Sequence, residues 1–533
     1  MKTKNAHFYI AILLPILTGF IFEIGYSHIY VERFYNFLEN ILFAFILSIP
    51  ISGIASQKFR FLYAKFVFLG IVFMVSFETG YYLIFNSKFN ASSVFVFMQT
   101  NTQEAKEFLD FYIDARVMFL LTVLMGITVF FFFSFKRFFN PTTIIKTKRN
   151  RIFLFLGLSV GLMLVSYTRR ENLPFIVAKA VYDLKRDSFY DNDNYFQDRL
   201  GPFSATATEN SKKIITIVIG ESTSRRHMQL YGYYRKTTPR LSAMKDDLVV
   251  YNDVISPNAL TVETLKKALT IDVDDKKGSI VQLLNSRGFK TYWISNQNPI
   301  GVFESFVSKV AKACDKQEYL TTSTYMDNKI FDEKILSYLE NVMADEGDKK
   351  VVFIHLQGTH FNYKYRFPKA FEHFNTEPKS VFSGKEVNST INNYDNAVLY
   401  NDYVVSSFIE ALKKQELNSA LLYFSDHGEE VYDTMDFVGH TDDVGSLPMF
   451  EIPFVLWQSQ TFKNLNHDSF VRNSDRPYQT NALYHSIAHL CQVTDTSVNL
   501  EKSIFSETFK KARRNILNGK NYDSLVQKAN IKL

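Results

Sequence analysis

The stretch Ile-Ile-Thr-Ile-Val-Ile-Gly-Glu-Ser-Thr, residues 214–223, decides the fold of the larger part of this 533-residue chain. Its first six residues are all β-branched, which is typical of a strand covered on both faces in a parallel sheet. The polar residues Gly-Glu-Ser-Thr follow at once. In open α/β sheets, ligands bind beyond the carboxyl ends of the strands, so residues 220–223 mark one edge of a candidate site.

Residues 212–533 alternate short apolar runs with helical patterns, which predicts a mostly parallel sheet with helices on both sides. The predicted strands are Ile214–Ile219, Val249–Val254, Thr291–Ile294, Val351–Ile354, Ala420–Phe424 and Phe454–Trp457. The predicted helices are Gly278–Ser286, Asp332–Ala344, Asp395–Lys414 and Gln479–Val493.

Polar residues follow two more of these strands. His-Leu-Gln-Gly-Thr-His occupies 355–360, Ser-Asp-His-Gly-Glu-Glu occupies 425–430, and His440 lies shortly beyond. Four of the eleven histidines therefore fall at strand ends, together with the carboxylates of Glu221 and Asp426. Carboxylate oxygens and imidazole nitrogens are the usual zinc ligands outside thiolate sites. Any one of these residues alone would be a hydrogen-bonded structural group, but their convergence predicts a metal site.

Metal-assisted phosphoryl or sulfuryl transfer also needs a nucleophile, either a metal-bound water or a side-chain hydroxyl. Ser222, Thr223 and Thr261 are the candidates. Thr261 opens the helical stretch Val262–Leu269, where free backbone N–H groups and the positive helix end favour an anion. The alternative is that Thr261 is only the N-cap of that helix.

The N-terminal part of the chain contains five apolar runs. They are Phe8–Phe22, Ile41–Ser56, Phe61–Phe85, Val117–Phe135 and Ile152–Tyr167. A bilayer core requires about 20 mostly apolar residues per helix. A buried core helix would explain one short run, but five runs predict a bundle of five transmembrane helices.

The Lys and Arg residues set the orientation and the domain boundaries. They are in excess at the N-terminus, near 58–60 and in 136–151, whereas the loops between are neutral or acidic. Positive loops stay inside, so the N-terminus is predicted to be cytoplasmic and the chain after residue 168 to lie outside. We predict a transmembrane domain over 1–168, an amphipathic interfacial helix (Phe175–Tyr190) with a linker within 169–210, and an outer α/β domain over 211–533.

Composition excludes other classes of protein. A chain with 47% hydrophobic residues has too much to bury to be disordered. Cys314 and Cys491 are too few for a disulfide scaffold, and whether they pair is open. The net charge of +6 gives no indication of nucleic-acid binding. Glu78, inside the third apolar run, either serves function or snorkels towards an end.

Five motifs extend the pattern over the chain. They are Ile-Gly-Glu-Ser-Thr-Ser-Arg (219–225), Gln-Leu-Tyr-Gly-Tyr (229–233), Thr-Thr-Pro (237–239), Tyr-Asp-Asn-Ala (394–397) and Ser-Asp-His-Gly-Glu (425–429). Together with the N-terminal spans, they resemble the phosphoethanolamine transferases of Gram-negative inner membranes, which modify lipid A or the lipopolysaccharide core. The resemblance implies a sulfatase-like outer domain of the alkaline-phosphatase superfamily, in the periplasm.

The resemblance also implies roles for particular residues. Those matching the family's zinc ligands are Glu221, Thr261, Asp426 and His427. Thr261 matches the nucleophile that becomes phosphoethanolaminylated, so that it serves both as ligand and as nucleophile. His360 and His440 match histidines that bind the phosphate, a second metal or the leaving group, and they would act as acid and base.

The substrates follow from the same resemblance. The segment Thr-Asn-Thr-Gln-Glu-Ala at 100–105 resembles the family's substrate-binding loop, so Thr100 and Glu104 are expected to meet the ethanolamine head group. A carboxylate next to an ammonium group is chemically sensible there. The implied donor is phosphatidylethanolamine and the acceptor is lipopolysaccharide or another envelope glycan. We expect a membrane-embedded monomer that does not bind nucleic acid.

Three features depart from the lipid A enzymes of this family. Those enzymes have several disulfides in the outer domain, which two cysteines cannot form. They also have a Ser and a Lys after the strand that corresponds to Thr291–Ile294, and residues 296–300 of this chain contain no clean match to them. The Glu-Ser-Thr sequence of this chain is closer to the branch of the family that acts on core heptose or other glycans. The acceptor is therefore less well defined than the donor. The alternatives are a phosphoglycerol transferase of the lipoteichoic-acid-synthase type and a non-catalytic, membrane-tethered binding module.

Overall fold

A computed structural model describes residues 3–26, 30–85, 89, 93–94, 102–138, 147, 149–150, 152–154, 156–157, 159–161, 172–190, 198–206, 212–273, 276–297, 306–320, 330–442, 445–465, 474–517 and 519–531. The chain divides into two compact units, Met1–Met98 with Ala105–Tyr190, and Gln99–Glu104 with Asp191–Leu533. The predicted boundaries at 168 and 210 remain predictions.

The first unit is helical. Its described helices are α1 (Thr3–Tyr26), α2 (Tyr30–Ser48), α3 (Gln57–Phe85), α4 (Thr102–Tyr112), α5 (Ala115–Phe138) and α6 (Leu173–Tyr190). Among the described residues, three helical stretches are long and apolar enough to cross a membrane: Arg33–Ile51, Gln57–Phe85 and Ala115–Ser134. The first and fifth predicted runs correspond to shorter apolar helices, so the count of five spans remains a prediction.

The second apolar run lies earlier in the chain than predicted. The sequence indicated a helix over Ile41–Ser56, whereas α2 begins at Tyr30 and ends at Ser48, before a 3₁₀ turn that contains Pro50. Proline ends an α-helix because it lacks an N–H group and clashes with the preceding turn. We predicted the start of this helix too late because the first half of α2 contains polar residues. They are buried inside the unit, but a search for uncharged runs excludes them.

These polar residues form a buried network that joins α2 to α1 and α3. Arg33 forms a buried ion pair with Glu23 at 2.6 Å. Asn40 donates a hydrogen bond to Glu78 at 2.8 Å, and the backbone N–H of Leu173 donates to the other oxygen of Glu78 at 2.7 Å. Glu78 is therefore packed inside the bundle rather than snorkelling, and it ties the start of α6 to α2 and α3.

The second unit is built on a seven-stranded sheet. In chain order its strands are β1 (Lys213–Gly220), β2 (Leu248–Val250), β3 (Lys290–Ser295), β4 (Lys316–Tyr319), β5 (Lys349–His355), β6 (Ser419–Ser425) and β7 (Phe454–Gln458). Their order across the sheet is β2-β7-β6-β1-β5-β3-β4. All neighbours from β6 to β4 are parallel, and β7 is antiparallel to both β6 and β2. The mostly parallel sheet predicted from the sequence is confirmed.

The register of the sheet determines which residues meet at its carboxyl edge. Gly220 of β1 is paired with Ser425 of β6, and Ile219 is paired with His355 of β5. The next residues, Glu221 and Asp426, therefore leave neighbouring strands at the same level. The sheet is rigid at this point because all of β1, β5 and β6 is buried.

Helices cover the sheet, and short hairpins lie outside it. The described α-helices of this unit are α7 (Pro239–Ala243), α8 (Thr261–Leu269), α9 (Ile280–Ser286), α10 (Phe306–Ala311), α11 (Ile335–Ala344), α12 (Lys385–Lys414), α13 (Gln460–Leu465), α14 (Leu483–Leu490) and α15 (Tyr522–Ile531). The predicted strand Val249–Val254 is divided into β2 and a separate short strand, Val254–Ile255. Helix α12 begins ten residues before the predicted Asp395, and β4 was missed because it is a polar edge strand.

Two pairs of residues outside the sheet edge are structural. Cys314 and Cys491 are buried free thiols, which answers the open question of a disulfide. His485 accepts a hydrogen bond from the backbone of Asn499, and His489 is hydrogen-bonded to Ser503. His485 and His489 are spaced four residues apart, as in a helical zinc pair, but these contacts are those of helix packing.

Gly428 is required by close packing, and this requirement yields a first prediction. A Cβ atom at this position would lie 2.1 Å from the carbonyl oxygen of Pro448, so the Gly428→Ala variant must shift backbone. We expect a loss of about 1–3 kcal/mol in the free energy of unfolding, measured by denaturation of the detergent-solubilised chain. Gly126→Ala is the control, because nothing lies within 4 Å of its Cβ position. Equal stability of the two variants would contradict this packing.

Candidate active site

Four predicted site residues meet at the carboxyl edge of the sheet. His427 Nε2 lies 3.3 Å from Glu221 Oε1 and 3.4 Å from Asp426 Oδ2. The Thr261 hydroxyl lies 3.2 and 3.3 Å from the two oxygens of Glu221 and 3.5 Å from His427 Nε2. The Glu221, Asp426 and His427 ligand atoms all lie within 4.8 Å of one another, close enough to share one metal ion.

Thr261 reaches this point because it is the first residue of α8. The N-cap of the helix is Leu260, which makes no side-chain capping bond, so the interpretation of Thr261 as an N-cap is wrong. The hydroxyl points instead to the carboxylate of Glu221. Thr261 is half-buried, whereas Glu221, Asp426 and His427 are buried, which leaves the hydroxyl on the open side of the cluster.

The other two candidate nucleophiles, Ser222 and Thr223, make hydrogen bonds that stabilise the loop after β1. Ser222 has a positive φ of 54°, a conformation that non-glycine residues rarely adopt. Its N–H donates to Asp426 Oδ1, its hydroxyl donates to Glu221 Oε1, and its carbonyl accepts from the Tyr394 hydroxyl. Thr223 is fully buried and hydrogen-bonded to Thr359. These contacts hold Glu221 in place and leave Thr261 as the hydroxyl available for chemistry.

The donor set fits a divalent cation. Asp426 Oδ2 is buried and, apart from its 3.4 Å contact with His427 Nε2, has no hydrogen-bond partner among the residues that the structure describes, although buried polar atoms are nearly always paired. His427 donates its Nδ1–H to the carbonyl of Gly428 at 2.8 Å, which leaves Nε2 as a ligand atom facing both carboxylates. Two carboxylates and one imidazole nitrogen at this spacing are a donor set that zinc accepts.

The electrostatics of the cluster point the same way. Burial and then the neighbouring Glu221 charge raise the pKa of Asp426 to about 8. Burial also tends to raise the pKa of Glu221, but the hydrogen bond and the charge of His427 have the larger effect and hold that pKa well below its usual range. Burial alone would lower the pKa of His427, yet the two carboxylates raise it to about 10. The site thus favours positive charge between Glu221 and Asp426.

The two further predicted histidines line the same region. The His440 ring centroid lies 4.1 Å from that of His427, and its Nδ1 is 2.6 Å from Glu429 Oε2. Tyr363 donates to the other oxygen of Glu429. Desolvation lowers the pKa of His360 to about 3, so its imidazole is neutral at pH 7. His427, Glu429 and His440 also form a second group that could hold a metal ion.

The predicted substrate loop is only partly visible. Thr100 lies outside the described residues. The backbone of Glu104 belongs to α4, but its side chain is not among the described ones. Their roles remain predictions.

Several residues around the cluster were not predicted. Gln297 donates from Nε2 to Glu221 Oε2 at 3.0 Å. Asp442 accepts from Asn258 and from the backbone of Ala259, both at 2.8 Å, and so fixes the turn that leads into Thr261. The position of Asp442, two residues after His440, could have identified it as a site residue. Gln297 could not be found in this way, because it lies in the stretch that departs from the family pattern.

His227, for which we predicted no role, is part of a buried ionic cluster. Its Nδ1 is 2.7 Å from Asp395 Oδ1 and its Nε2 is 3.3 Å from Asp433. Asp395 also accepts from Arg235 at 2.7 Å. Asp395 follows Tyr394, whose hydroxyl accepts from Ser224 N–H and donates to the Ser222 carbonyl. The Tyr-Asp-Asn-Ala motif was the available signal, and it supports the loop that carries Glu221.

With this geometry established, comparison with known proteins identifies the family. The sulfatase family profile matches residues 213–493, more than half of the chain. The chain is 30% identical to phosphoethanolamine transferase EptC of Escherichia coli (strain K12) over 482 residues, covering 84% of this chain and 82% of EptC. The chain belongs to the phosphoethanolamine transferase family. The family assignment predicted from the motifs is confirmed.

Solved structures of this phosphoethanolamine transferase family agree with the fold. The C-terminal periplasmic domain of Escherichia coli EptC, in complex with zinc, is 34% identical and superposes with a TM-score of 0.56 over 59% of this chain and 91% of that domain. The integral membrane protein EptA of Neisseria meningitidis is 20% identical, with a TM-score of 0.65 over 94% of this chain and 98% of EptA. The EptA match extends the likeness in fold to nearly the whole chain.

The His227 cluster yields a second prediction. Removal of a buried cation between carboxylates leaves their charge uncompensated, so His227→Ala is expected to lower the free energy of unfolding by about 3–5 kcal/mol. Burial would lower the pKa of His227, but Asp433 and Asp395 raise it to about 10, above its unfolded value near 6.5. The stabilisation is therefore complete below about pH 6.5 and is lost as the pH rises through about 10.

The measurement is thermal denaturation of the solubilised chain across this pH range, with His373→Ala, at an exposed histidine, as the control. A difference between the His227→Ala and parent midpoints that does not shrink above pH 9 would show that the imidazolium is not the source of the stabilisation.

Proposed function

We propose that this chain transfers phosphoethanolamine from phosphatidylethanolamine to lipopolysaccharide, at a core sugar or lipid A, or to another envelope glycan, through a covalent phosphothreonine at Thr261. The observation that carries the proposal is the convergence of the Thr261 hydroxyl with Glu221, Asp426 and His427 at the carboxyl edge of the sheet. Family membership supports the reaction type.

Zinc is the proposed cofactor. Glu221, Asp426 and His427 would hold it, with the Thr261 oxygen as a further ligand. The zinc complex of the EptC periplasmic domain supports this choice, as does the buried Oδ2 of Asp426, which no described residue satisfies with a hydrogen bond. When bound, zinc supplies Lewis acidity that favours the ionised hydroxyl and offsets charge on the phosphoryl group.

In the first step, Thr261 Oγ attacks the phosphorus atom of phosphatidylethanolamine. A bond forms between Oγ and phosphorus, and the bond from phosphorus to the diacylglycerol oxygen breaks. The Thr261 hydroxyl gives up its proton as it attacks, and diacylglycerol leaves after taking up a proton, so the step balances. His360 and His440 are the proposed proton donors and acceptors, because they are neighbours of the cluster and His360 is neutral at pH 7.

In the second step, an acceptor oxygen attacks the phosphorus atom of the Thr261 phosphodiester. The acceptor hydroxyl gives up its proton, the bond to Thr261 Oγ breaks, and the Thr261 hydroxyl recovers a proton. Phosphoethanolamine is carried away on the acceptor. His440 is held by Glu429, which orients its ring for the proton transfer.

The donor is proposed to bind through Thr100 and Glu104, where a carboxylate can pair with the ammonium group. The acceptor is inferred from relatives: one carries the name Kdo(2)-lipid A phosphoethanolamine 7''-transferase, from Escherichia coli (strain K12), and is 24% identical over 54% of this chain. The catalytic unit is proposed to act as a monomer.

The chain is further proposed to be a five-span protein of the bacterial inner membrane, with a cytoplasmic N-terminus and a periplasmic catalytic domain. The three long apolar stretches and two of the three shorter apolar helices, Ile10–Tyr26 and Ile152–Gly161, would supply the five spans. The transmembrane domain would end at residue 168, with the interfacial helix and linker over 169–210 and the catalytic domain over 211–533.

The third prediction tests the nucleophile. Thr261→Ala is expected to lower transfer from labelled phosphatidylethanolamine to lipopolysaccharide by about 10³-fold or more, because the other two candidate hydroxyls, those of Ser222 and Thr223, are buried and hydrogen-bonded. Thr261→Ser keeps a hydroxyl and is expected to retain part of the activity. Thr270→Ala, at the other end of α8, is the control for disturbance of the helix. Full activity of Thr261→Ala would rule out the proposed mechanism.

The fourth prediction tests the topology. Cys314 and Cys491 are buried, so a membrane-impermeant maleimide reports on an introduced cysteine. In cells with a permeabilised outer membrane, Glu372→Cys is expected to be labelled, whereas Lys58→Cys is labelled only after the inner membrane is broken. Both positions are exposed in the structure. Labelling of Lys58→Cys in intact cells would reverse the proposed orientation.

A further inference from the structure

Gln297 makes a contact that the proposed reaction does not yet use. It follows β3, the strand two places from β1 in the sheet. Its side-chain Nε2 donates one hydrogen bond to Glu221 Oε2 at 3.0 Å and a second to the Leu356 carbonyl at 2.9 Å. The amide thus bridges the carboxyl ends of β3 and β5 to the carboxylate at the end of β1.

The backbone of Gln297 is itself fixed. Its N–H donates to the hydroxyl of Ser295 at 3.0 Å, and that hydroxyl donates to the Gln297 carbonyl at 3.2 Å. Ser295 is buried and belongs to β3. The amide is therefore presented to Glu221 from a rigid strand end, although the residues that follow 297 lie outside the described part of the chain.

Both oxygens of Glu221 are consequently held by neutral donors. The Ser222 hydroxyl donates to Oε1 at 2.9 Å, and Gln297 donates to Oε2. With one lone pair of each oxygen engaged, the carboxylate plane is fixed and its remaining lone pairs face Thr261 and His427. Partners of this kind orient metal ligands and tune their affinity.

The choice of an amide follows from the charge already present. A second cation beside Glu221 would compete with a metal for the carboxylate, and a third carboxylate would repel Glu221 and Asp426. A neutral donor orients the carboxylate and leaves its charge available. We propose that Gln297 is a positioning residue that sets the metal affinity of Glu221, an inference that rests on the metal site of the proposed function.

The test is the Zn²⁺ affinity of the purified full-length chain in detergent, measured by competition with a chromophoric chelator. Gln297→Met preserves the length of the side chain and removes the donor. We expect Zn²⁺ binding to weaken by about 10–100-fold, with the melting temperature of the metal-free protein nearly unchanged. Gln479→Met is the matched control, because Gln479 Nε2 also bridges backbone carbonyls, those of Ser256 and Asn515. Its Zn²⁺ affinity should equal that of the parent.

A double-mutant cycle separates the role of Gln297 from a general tether. In the Glu221→Ala background, Gln297→Met should cause no further loss of Zn²⁺ affinity, because the ligand it positions is absent. An equal loss in both backgrounds, or unchanged affinity in the single variant, would overturn the inference. A parent chain that binds no Zn²⁺ would instead refute the metal site of the proposed function, so the two failures are distinguishable.

Discussion

Two carboxylates, Glu221 and Asp426, are buried side by side because β1 and β6 are parallel neighbours in register. Two anions at this distance in a dehydrated site repel strongly, so one must take up a proton unless a cation lies between them. Without such a cation, the charge of the pair keeps His427 protonated well above its usual range. This constraint explains why a metal ion suits the site, and the surrounding residues serve to hold the pair in place.

The support for this pair comes from every adjoining segment. Ser222 accepts a left-handed backbone conformation so that its N–H and hydroxyl can reach Asp426 and Glu221. Tyr394, next to the ionic cluster of Asp395, fixes the carbonyl of Ser222. The strained loop is thus tied to the long helix α12, and the carboxylates cannot relax apart. Thr261 belongs to a separate element, α8, and its hydroxyl lies on the accessible side of the carboxylate pair.

The sequence was sufficient for six of the seven strands and for Glu221, Asp426 and His427, because continuous β-branched runs and polar strand ends are local signals. Thr261, at a helix start, was singled out among three hydroxyls by the family resemblance. It was insufficient where long-range contacts decide. Gln297 touches Glu221 only because β3 and β1 flank β5, and sequence distance hides this. His227 is paired with Asp395 across the fold. In the first unit, the predicted start of α2 was wrong because the polar residues of this helix are buried against neighbouring helices. A search for apolar runs cannot detect such burial.

The central claim is that the Thr261 oxygen carries the phosphoethanolamine group between donor and acceptor. The most direct measurement is tandem mass spectrometry of the purified chain after incubation with phosphatidylethanolamine in the absence of an acceptor. The account predicts one phosphoethanolamine group on the peptide that contains Thr261, localised to that residue and removed when lipopolysaccharide is added. A group found on another residue, or an unmodified Thr261 in a chain that transfers the group to lipopolysaccharide, would contradict the account.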